Sequence, residues 1–273
     1  MTIKKAYVDT LDGQVHYRIQ EEGIGPPLLL FHMTASTSES YESFMEALAE
    51  NVPTIAFDTP GYGESFKPTV EPSVEYIGQV ILQALDMMGV DQFHTFGHHT
   101  GASRALELAC VVPERAISAT LNGICSLGQP EEGEAVLAAQ CYPNPTSPVG
   151  ESMLRGWARV TRGLELAAPP LPDEIMHREL IAYLQAGEDW SWAYRAVFRY
   201  DAEEKMNQVT RPIFFVAGEH DGIMPFHVRE VERHPEYPSY IAPGYGVFYS
   251  ELAPDDLAPR VIEFMRDAEK NGE

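Results

Sequence analysis

The chain has 273 residues, a length that fits one large domain, or a core with an inserted segment, and a sizeable buried interior. Acidic residues outnumber basic ones by 41 to 19, and the net charge of −22 argues against binding nucleic acid or an anionic membrane surface. The three cysteines show neither disulfide nor zinc spacing, and the amino-terminal stretch shows no apolar signal segment. Both observations predict a cytoplasmic protein with reduced thiols.

Short apolar runs alternate with stretches of helical spacing along most of the chain. Residues 15–19 alternate like a half-buried strand. Short, largely apolar runs, which are typical of strands covered on both faces, occupy residues 28–31, 54–57 and 214–217, and residues 92–96 (Gln-Phe-His-Thr-Phe) are interpreted as a further strand of this kind. Helical spacing occupies residues 41–49, 74–88 and 257–265. The alternation predicts an α/β fold, with a mainly parallel sheet and helices on both of its faces.

Residues 126–206 interrupt this alternation and predict an inserted helical cap. They are rich in Pro, Trp, Tyr and Met, and helical stretches fall near residues 151–161 and 174–184. An aromatic series from Trp190 to Tyr200 follows, for which packing within the cap is a commoner role than ligand contact. Residues 1–125 and 207–273 then form the α/β core, and the cap closes over a pocket.

The sequence Gly97-His98-His99-Thr100-Gly101 follows a predicted buried strand. A nucleophile elbow occupies such a place: it is a sharp turn between a strand and a helix, and its glycines leave room for a strained central residue. The central residue here is His99, which is poorly suited to the usual covalent chemistry of Ser, Cys or Asp.

Four segments, each after a predicted strand, share one order along the chain. They are residues 31–34 (Phe-His-Met-Thr), 58–65 (Asp-Thr-Pro-Gly-Tyr-Gly-Glu-Ser), 97–101 and 218–221 (Gly-Glu-His-Asp). With these motifs the chain resembles the α/β-hydrolase superfamily, in particular its capped branch of epoxide hydrolases, haloalkane dehalogenases and C–C bond hydrolases. The resemblance extends over nearly the whole core and is weak only in the cap.

The resemblance implies counterparts for only some of the family's site residues. His99 stands at the nucleophile position and Asp221 at the acid position. Val247 stands where the general-base histidine is expected, so two of the three members of the family's triad are absent. Thr34 and Thr100 occupy the positions whose backbone amides would form an oxyanion hole.

A histidine at the elbow is longer than a serine, so its ring has room to fill part of the space of the missing base and to approach Asp221. A His99–Asp221 pair predicts a general base acting on water or on an acidic substrate proton, because imidazole titrates near neutral pH. The alternative is that His99 is a packed residue in a site that has lost its chemistry, which Val247 favours. Against that, a buried imidazole or carboxylate without a partner is costly.

Four further residues are expected to line the pocket. His98 packs beside the elbow residue, His32 shapes the oxyanion loop, and Met33 and Val247 follow from their places in the motifs. No spacing of His, Cys and acidic residues predicts a metal site, and no glycine-rich phosphate loop is present. We therefore expect no metal and no cofactor.

Three functions stay open at this point. The first is a cofactor-free hydrolase of a small apolar or aromatic carbonyl substrate, with an ester, thioester, lactone or C–C bond as the target. The second is a lyase or a cofactor-independent oxygenase on the same scaffold, in which the base removes a substrate proton and no water attacks. The third is a ligand-binding protein without catalysis. All three predict a small-molecule partner, and a homo-oligomer is compatible with each.

Overall fold

The computed structural model describes residues 2–126, 149–162 and 169–272. Its strands are β1 Lys4–Asp9, β2 Gln14–Gln20, β3 Leu28–Phe31, β4 Thr54–Phe57, β5 Phe93–His98, β6 Ala116–Asn122, β7 Ile213–Gly218 and β8 Ser239–Ala242. These strands form one sheet in the order β1-β2-β4-β3-β5-β6-β7-β8. All neighbours from β4 to β8 in this order pair in parallel, and β1 and β2 add an antiparallel edge. The predicted mainly parallel sheet is confirmed.

The described helices connect these strands and cover the sheet. They are α1 Glu42–Leu48, α2 Val74–Met88, α3 Thr100–Val111, α4 Glu151–Arg162, α5 Asp173–Ala186, α6 Trp192–Arg199, α7 Ala202–Gln208, α8 Met224–Arg233, α9 Tyr249–Leu252 and α10 Pro254–Gly272. Helices α4 to α7 lie between β6 and β7 in the chain, and we call residues 149–162 and 169–208 the helical segment. Within the part of the chain that the structure describes, no helix is long and apolar enough to cross a membrane.

The central strands send alternate side chains to two apolar cores. Leu29 and Phe31 of β3 point into one core, where α2 and α3 contribute side chains such as Ile77 and Leu108. The residues between them along the strand, Leu28 and Leu30, point into a second core that contains side chains of α1 and α10. Alternation along a strand places successive side chains on opposite faces. Continuous apolar runs in these strands therefore report a sheet that is covered on both sides.

Most predicted elements are present, with shifted ends. The prediction for residues 74–88 coincides with α2, which Ser73 caps through a side-chain bond to the Tyr76 N–H and which Gly89 ends in a left-handed conformation. The predicted helix 257–265 extends to Pro254–Gly272, since Pro is favoured in a first turn. The predicted helix 41–49 begins instead as a single 3-10 turn at Ser38–Tyr41, before α1.

The motif at residues 58–65 is a folded loop that the Asp58 carboxylate holds together. That carboxylate accepts hydrogen bonds from the Ser38 N–H at 2.7 Å and from the Glu64 N–H at 2.9 Å. His16 contributes a third contact, with its Nδ1 2.8 Å from the carboxylate. Gly63 lies against the same group: a Cβ there would be 2.1 Å from Asp58 Oδ2. Asp58 and Gly63 of the motif therefore have structural roles in this loop.

The aromatic series of the helical segment is largely packed. The Trp190 ring is buried, 5.0 Å from the Tyr183 ring and 6.1 Å from the Tyr194 ring between centroids. Tyr62 of the core donates its hydroxyl to the Trp190 carbonyl at 2.8 Å and accepts from the Ala193 N–H at 3.0 Å. The division into a core of residues 1–125 and 207–273 and a cap of residues 126–206 stays a prediction. Residues 127–148 and 163–168 of the predicted cap lie outside the described part of the chain.

Candidate active site

The turn at His99 has the strained geometry of an elbow. His99 joins β5 to α3 with φ 50° and ψ −112°, and among the described residues it is the one non-glycine residue with positive φ. Its N–H donates to the Asn122 carbonyl of β6 at 2.9 Å. A Cβ at Gly97 would lie 2.1 Å from the Gly101 carbonyl oxygen, and one at Gly101 would lie 1.9 Å from the Phe31 carbonyl oxygen. Both glycines are required, because α3 begins against the ends of β3 and β5.

The His99 ring reaches the Asp221 carboxylate, which lies in the loop after β7. His99 Nε2 is 2.8 Å from Oδ2 and 3.0 Å from Oδ1 of Asp221, and the Ile223 N–H donates to Oδ1 at 3.0 Å. Burial by itself raises the pKa of this carboxyl, but the His99 charge and hydrogen bond and the Ile223 N–H outweigh it and lower the pKa to about 2. The carboxylate is therefore ionised at neutral pH. It accepts the Nε2 proton, which leaves the lone pair of the neutral ring on Nδ1.

Gly123 makes the room that the His99 ring occupies. It follows β6 with φ +69°, and a Cβ there would lie 2.7 Å from His99 Cδ2 and 3.1 Å from His99 Nε2. No motif in the sequence marks this glycine. Its strand, β6, carries Ser118 and Thr120 among its apolar residues, so it lacks the continuous apolar run by which β3 and β7 were predicted.

His98 lies beside His99 as a buried, uncharged ring. The two ring centroids are 4.5 Å apart at an interplanar angle of 65°. Burial, with the electrostatic effect of His99, lowers the pKa of His98 to about 3, although the Asp221 charge and a hydrogen bond with the Val247 backbone act in the opposite direction. Among the described residues, His98 Nε2 has no hydrogen-bond partner. His98 is therefore neutral and packs next to the elbow.

His227 on α8 is a further histidine near this group that the sequence analysis missed. Its ring is fully buried and edge-on to Phe215, with centroids 5.9 Å apart. Neither ring nitrogen has a partner within the described residues. Burial lowers the pKa of His227 to about 4, and the Asp221 and His99 charges act on it in opposite directions. A single histidine on a helix has no motif, and only folding brings it toward Asp221.

His32 uses both ring nitrogens to shape the loop after β3. The Thr59 N–H donates to His32 Nε2 at 3.0 Å, so Nδ1 carries the proton and donates to the Met33 carbonyl at 2.8 Å. Burial, with the Arg104 charge, lowers the pKa of His32 to about 4. His32 is therefore neutral, and the geometry favours the loop-shaping role over contact with a ligand.

Thr34 and Thr100 meet at the beginning of α3. Their Oγ1 atoms are 2.9 Å apart. Neither backbone N–H donates to an acceptor among the described residues, as is usual for the first residue of a helix. The Thr34 carbonyl accepts from the Tyr194 hydroxyl at 3.1 Å and from Arg159 Nη2 at 3.2 Å, both in the helical segment. The two N–H groups are thus available beside His99.

Apolar side chains flank this polar group. Met33 and Val247 pack with Phe248 of the core and with Leu171 and Ile175 of the helical segment. Through its backbone bond to His98, Val247 lies next to the elbow, in keeping with its motif position. The arrangement combines a polar His–Asp pair with an apolar wall, as small-molecule sites commonly do.

One set of side chains has the proximity that a metal ion needs. His98, His99 and Asp221 each offer one ligand atom, and these atoms all lie within 4.8 Å of one another. Sequence spacing did not indicate this set, because β5 and the loop after β7 bring it together. His99 Nε2 and the Asp221 carboxylate already form a hydrogen bond with each other at 2.8 Å.

A cavity of about 650 Å³ lies away from this site, at the amino ends of β7 and β8.

Comparison with known proteins gives the family. The family model for the alpha/beta hydrolase fold matches residues 26–234, and the chain belongs to this family. It is 25% identical over 246 residues to the dihydrolipoyllysine-residue acetyltransferase component of the acetoin cleaving system of Pseudomonas putida, covering 89% of this chain and 64% of that protein. The chain thus spans just under two thirds of that relative's length.

Two further proteins are similar over nearly their whole length. The 2-(acetamidomethylene)succinate hydrolase of Mesorhizobium japonicum is 22% identical over 275 residues, covering 93% of this chain and 92% of that one. The crystal structure of epoxide hydrolase A from Mycobacterium thermoresistibile superposes with a TM-score of 0.78 at 18% identity, covering 97% of this chain and 98% of that chain. This structural likeness is one of fold.

Proposed function

We propose that the chain is a cofactor-free hydrolase in which His99 and Asp221 act together as a general base. The substrate is a small, largely apolar or aromatic carbonyl compound, with an ester, thioester, lactone or C–C bond as the bond that breaks. The observation that carries the proposal is the 2.8 Å contact between His99 Nε2 and Asp221 Oδ2. That contact holds the ring in one tautomer, with the lone pair on Nδ1.

The proposed reaction needs no enzyme nucleophile. His99 Nδ1 takes a proton from a water molecule as the water oxygen attacks the carbonyl carbon, and the Asp221 carboxylate stabilises the imidazolium that forms. The N–H groups of Thr34 and Thr100 donate to the oxyanion. When the tetrahedral intermediate collapses, Nδ1 returns the proton to the leaving group. One ring nitrogen thus gives and takes the same proton.

Two of the relatives reported above support a hydrolytic reaction by their names, a hydrolase of an acetamidomethylene succinate and an epoxide hydrolase. The first relative, an acetyltransferase component, shows that acyl chemistry also occurs among similar chains. None of them defines the substrate of this chain.

A screen of nitrophenyl esters, thioesters, lactones and β-diketones tests the proposal, with His99→Ala and Asp221→Asn as variants. We expect turnover in at least one class and a loss of about a hundredfold or more in kcat in each variant, as is usual for a general base. His220→Ala is the control, because this neighbour of Asp221 is exposed and carries an imidazole that the reaction does not use.

Four results would contradict the proposal. Turnover that survives in His99→Ala would exclude the base, and covalent labelling of a serine by a fluorophosphonate would assign an ordinary nucleophile. Activity that disappears with a chelator and returns with Zn²⁺ would assign the His98, His99 and Asp221 group to a metal ion instead. If no substrate class were turned over and His99→Ala left ligand affinity unaffected, the chain would be a ligand-binding protein without catalysis.

A lyase is the second candidate, and the place of Val247 favours it. An aliphatic side chain there offers no hydrogen bond that would orient an attacking water molecule. A base that only removes a substrate proton does not need one. Turnover in H2¹⁸O separates the two reactions: oxygen from water in the product supports hydrolysis, and its absence supports the lyase.

A further inference from the structure

Arg159 extends from the helical segment to the loop that carries Thr34. It lies on α4, and its Nη2 donates to the Thr34 carbonyl at 3.2 Å and to the Tyr194 hydroxyl at 2.6 Å. Its Cζ is 4.4 Å from the centre of the Trp190 ring and 5.0 Å from that of the Tyr194 ring. Two aromatic rings and two oxygen acceptors therefore hold the guanidinium at the oxyanion loop.

This guanidinium has no carboxylate partner in the part of the chain that the structure describes. The other arginines of the helical segment include Arg178, which pairs with Glu251, and Arg195 and Arg199, which both pair with Glu71. In a chain with 41 acidic and 19 basic residues, a half-buried arginine has many possible partners. Arg159 instead faces neutral oxygens, and its Nε and Nη1 groups donate to no acceptor among the described residues.

A guanidinium that has no carboxylate partner among the described residues favours an anionic ligand. A half-buried charge without a counterion is unfavourable, and an anion that binds beside it relieves this. The Nε and Nη1 groups keep N–H donors without an acceptor among the described residues, and each can donate to an oxygen of an anion. The Trp190 and Tyr194 rings lie against the guanidinium and restrict its movement.

The position of Arg159 connects it to the candidate base. Arg159 contacts Thr34, whose Oγ1 is 2.9 Å from Thr100 Oγ1, and Thr100 directly follows His99. Arg159 therefore contacts the residue proposed to supply one oxyanion donor, and that residue lies next to the one proposed to supply the other.

We propose that Arg159 is a specificity-determining residue that binds a carboxylate of the substrate. The substrate class is then a small organic acid whose reacting carbonyl lies a few bonds from its carboxylate. The placement of the reacting carbonyl rests on the proposed function. The anion subsite does not, because it is defined by the surroundings of Arg159 alone and is measurable by binding without turnover.

Binding of matched probes tests the subsite. The probes are benzoate, phenylacetate and 3-phenylpropionate, each compared with its carboxamide by calorimetry at fixed salt. In the unsubstituted protein we expect at least one carboxylate to bind about tenfold or more tightly than its amide, which corresponds to about 1.4 kcal/mol. Arg159→Gln should abolish this preference, and Arg159→Lys should keep part of it, because the charge stays while the Nε and Nη1 donors are lost.

The controls distinguish a specific anion subsite from a general effect of positive charge and from a structural role of Arg159. Arg199→Gln removes an exposed arginine of the same segment and should leave the preference unchanged. The preference is measured by binding without turnover, so a failed activity screen does not affect the result. The proposal is overturned if no carboxylate is preferred or bound, or if the preference persists in Arg159→Gln. Equal loss of acid and amide binding in Arg159→Gln, with a lowered Tm, would also overturn it and assign Arg159 a structural role.

Discussion

At the scale of single residues, Gly123 lies against the edge of the His99 ring that faces Asp221. The substitution Gly123→Ala places a Cβ 2.7 Å from His99 Cδ2, so the ring must move away from its contact with Asp221. We expect a loss of activity of about tenfold or more, since small displacements of a catalytic group have large effects on rate. Steady-state kinetics on the substrate found in the screen measures it.

The control for Gly123→Ala is a glycine with the same φ angle and no atom close to the position of a Cβ. Gly89 also has φ +69°, and a Cβ there meets nothing within 4 Å. Both substitutions carry the cost of a left-handed alanine, about 1 kcal/mol. Gly89→Ala should therefore lower stability to a similar degree while activity stays unchanged. Equal activity in the two variants would show that the His99 ring is not confined as the structure indicates.

The site residues differ in how far the sequence could predict them. His99 and Asp221 stand in motifs that follow apolar strands, so their contact could be predicted from the order of the segments, and the structure places them 2.8 Å apart. Gly123 and His227 have no such motif, since one follows a strand of mixed polarity and the other lies on a helix. Gly123 lies near Asp221 because β6, which it follows, pairs in parallel with β7, whereas His227 lies near it because α8 follows the loop of Asp221.

At the scale of elements, the strands with continuous apolar runs and the helix with clear capping residues were predictable. The edge strands β1 and β8 were not, because one or both of their faces meet solvent: β1 has the sequence Lys-Lys-Ala-Tyr-Val-Asp and is mostly exposed. Hydrophobic periodicity reports burial. It therefore finds the covered centre of a sheet more readily than its margins.

The Tyr62 hydroxyl makes two of the hydrogen bonds between the core and the helical segment. The substitution Tyr62→Phe removes its bonds to the Trp190 carbonyl and the Ala193 N–H, both in buried surroundings. We expect the free energy of unfolding to fall by about 1–3 kcal/mol, the usual cost of buried groups without a partner. Urea titration measures it, and limited proteolysis should cut the helical segment faster in the variant.

Tyr41→Phe is the matched control for Tyr62→Phe. Its hydroxyl is also buried and donates to the Phe31 carbonyl at 2.8 Å, but both groups belong to the core. This variant should lose stability without faster cleavage between residues 187 and 200. If the two variants were cut at the same rate, the Tyr62 bonds would not be what holds the helical segment to the core.

At the scale of the whole molecule, three buried histidines are kept neutral in a protein of net charge −22. Burial lowers the pKa of His32 to about 4, of His98 to about 3 and of His227 to about 4. Negative net charge favours protonation, so the desolvation of these rings outweighs it. The unfolded chain therefore binds protons at pH values where the folded chain does not.

The stability of the protein should consequently fall on mild acidification, and His227 offers the clearest test. Its pKa is lowered from 6.5 to about 4, so between these values the unfolded state is protonated at this ring and the folded state is not. Each such histidine lowers the free energy of unfolding by about 1.4 kcal/mol per pH unit as the pH falls through this window. Above pH 6.5 both states are neutral at this ring, and its effect vanishes.

Urea unfolding of His227→Gln across this window measures the contribution of one ring. Many carboxylates titrate in the same range, so the comparison is between slopes of the variant and of the unsubstituted protein. The slope of unfolding free energy against pH should decrease by about 1.4 kcal/mol per pH unit in His227→Gln. His220→Gln removes an exposed ring and should leave the slope unchanged. If both variants kept the original slope, His227 would be protonated or hydrated in the folded state. The description of His227 as a neutral, buried ring would then be wrong.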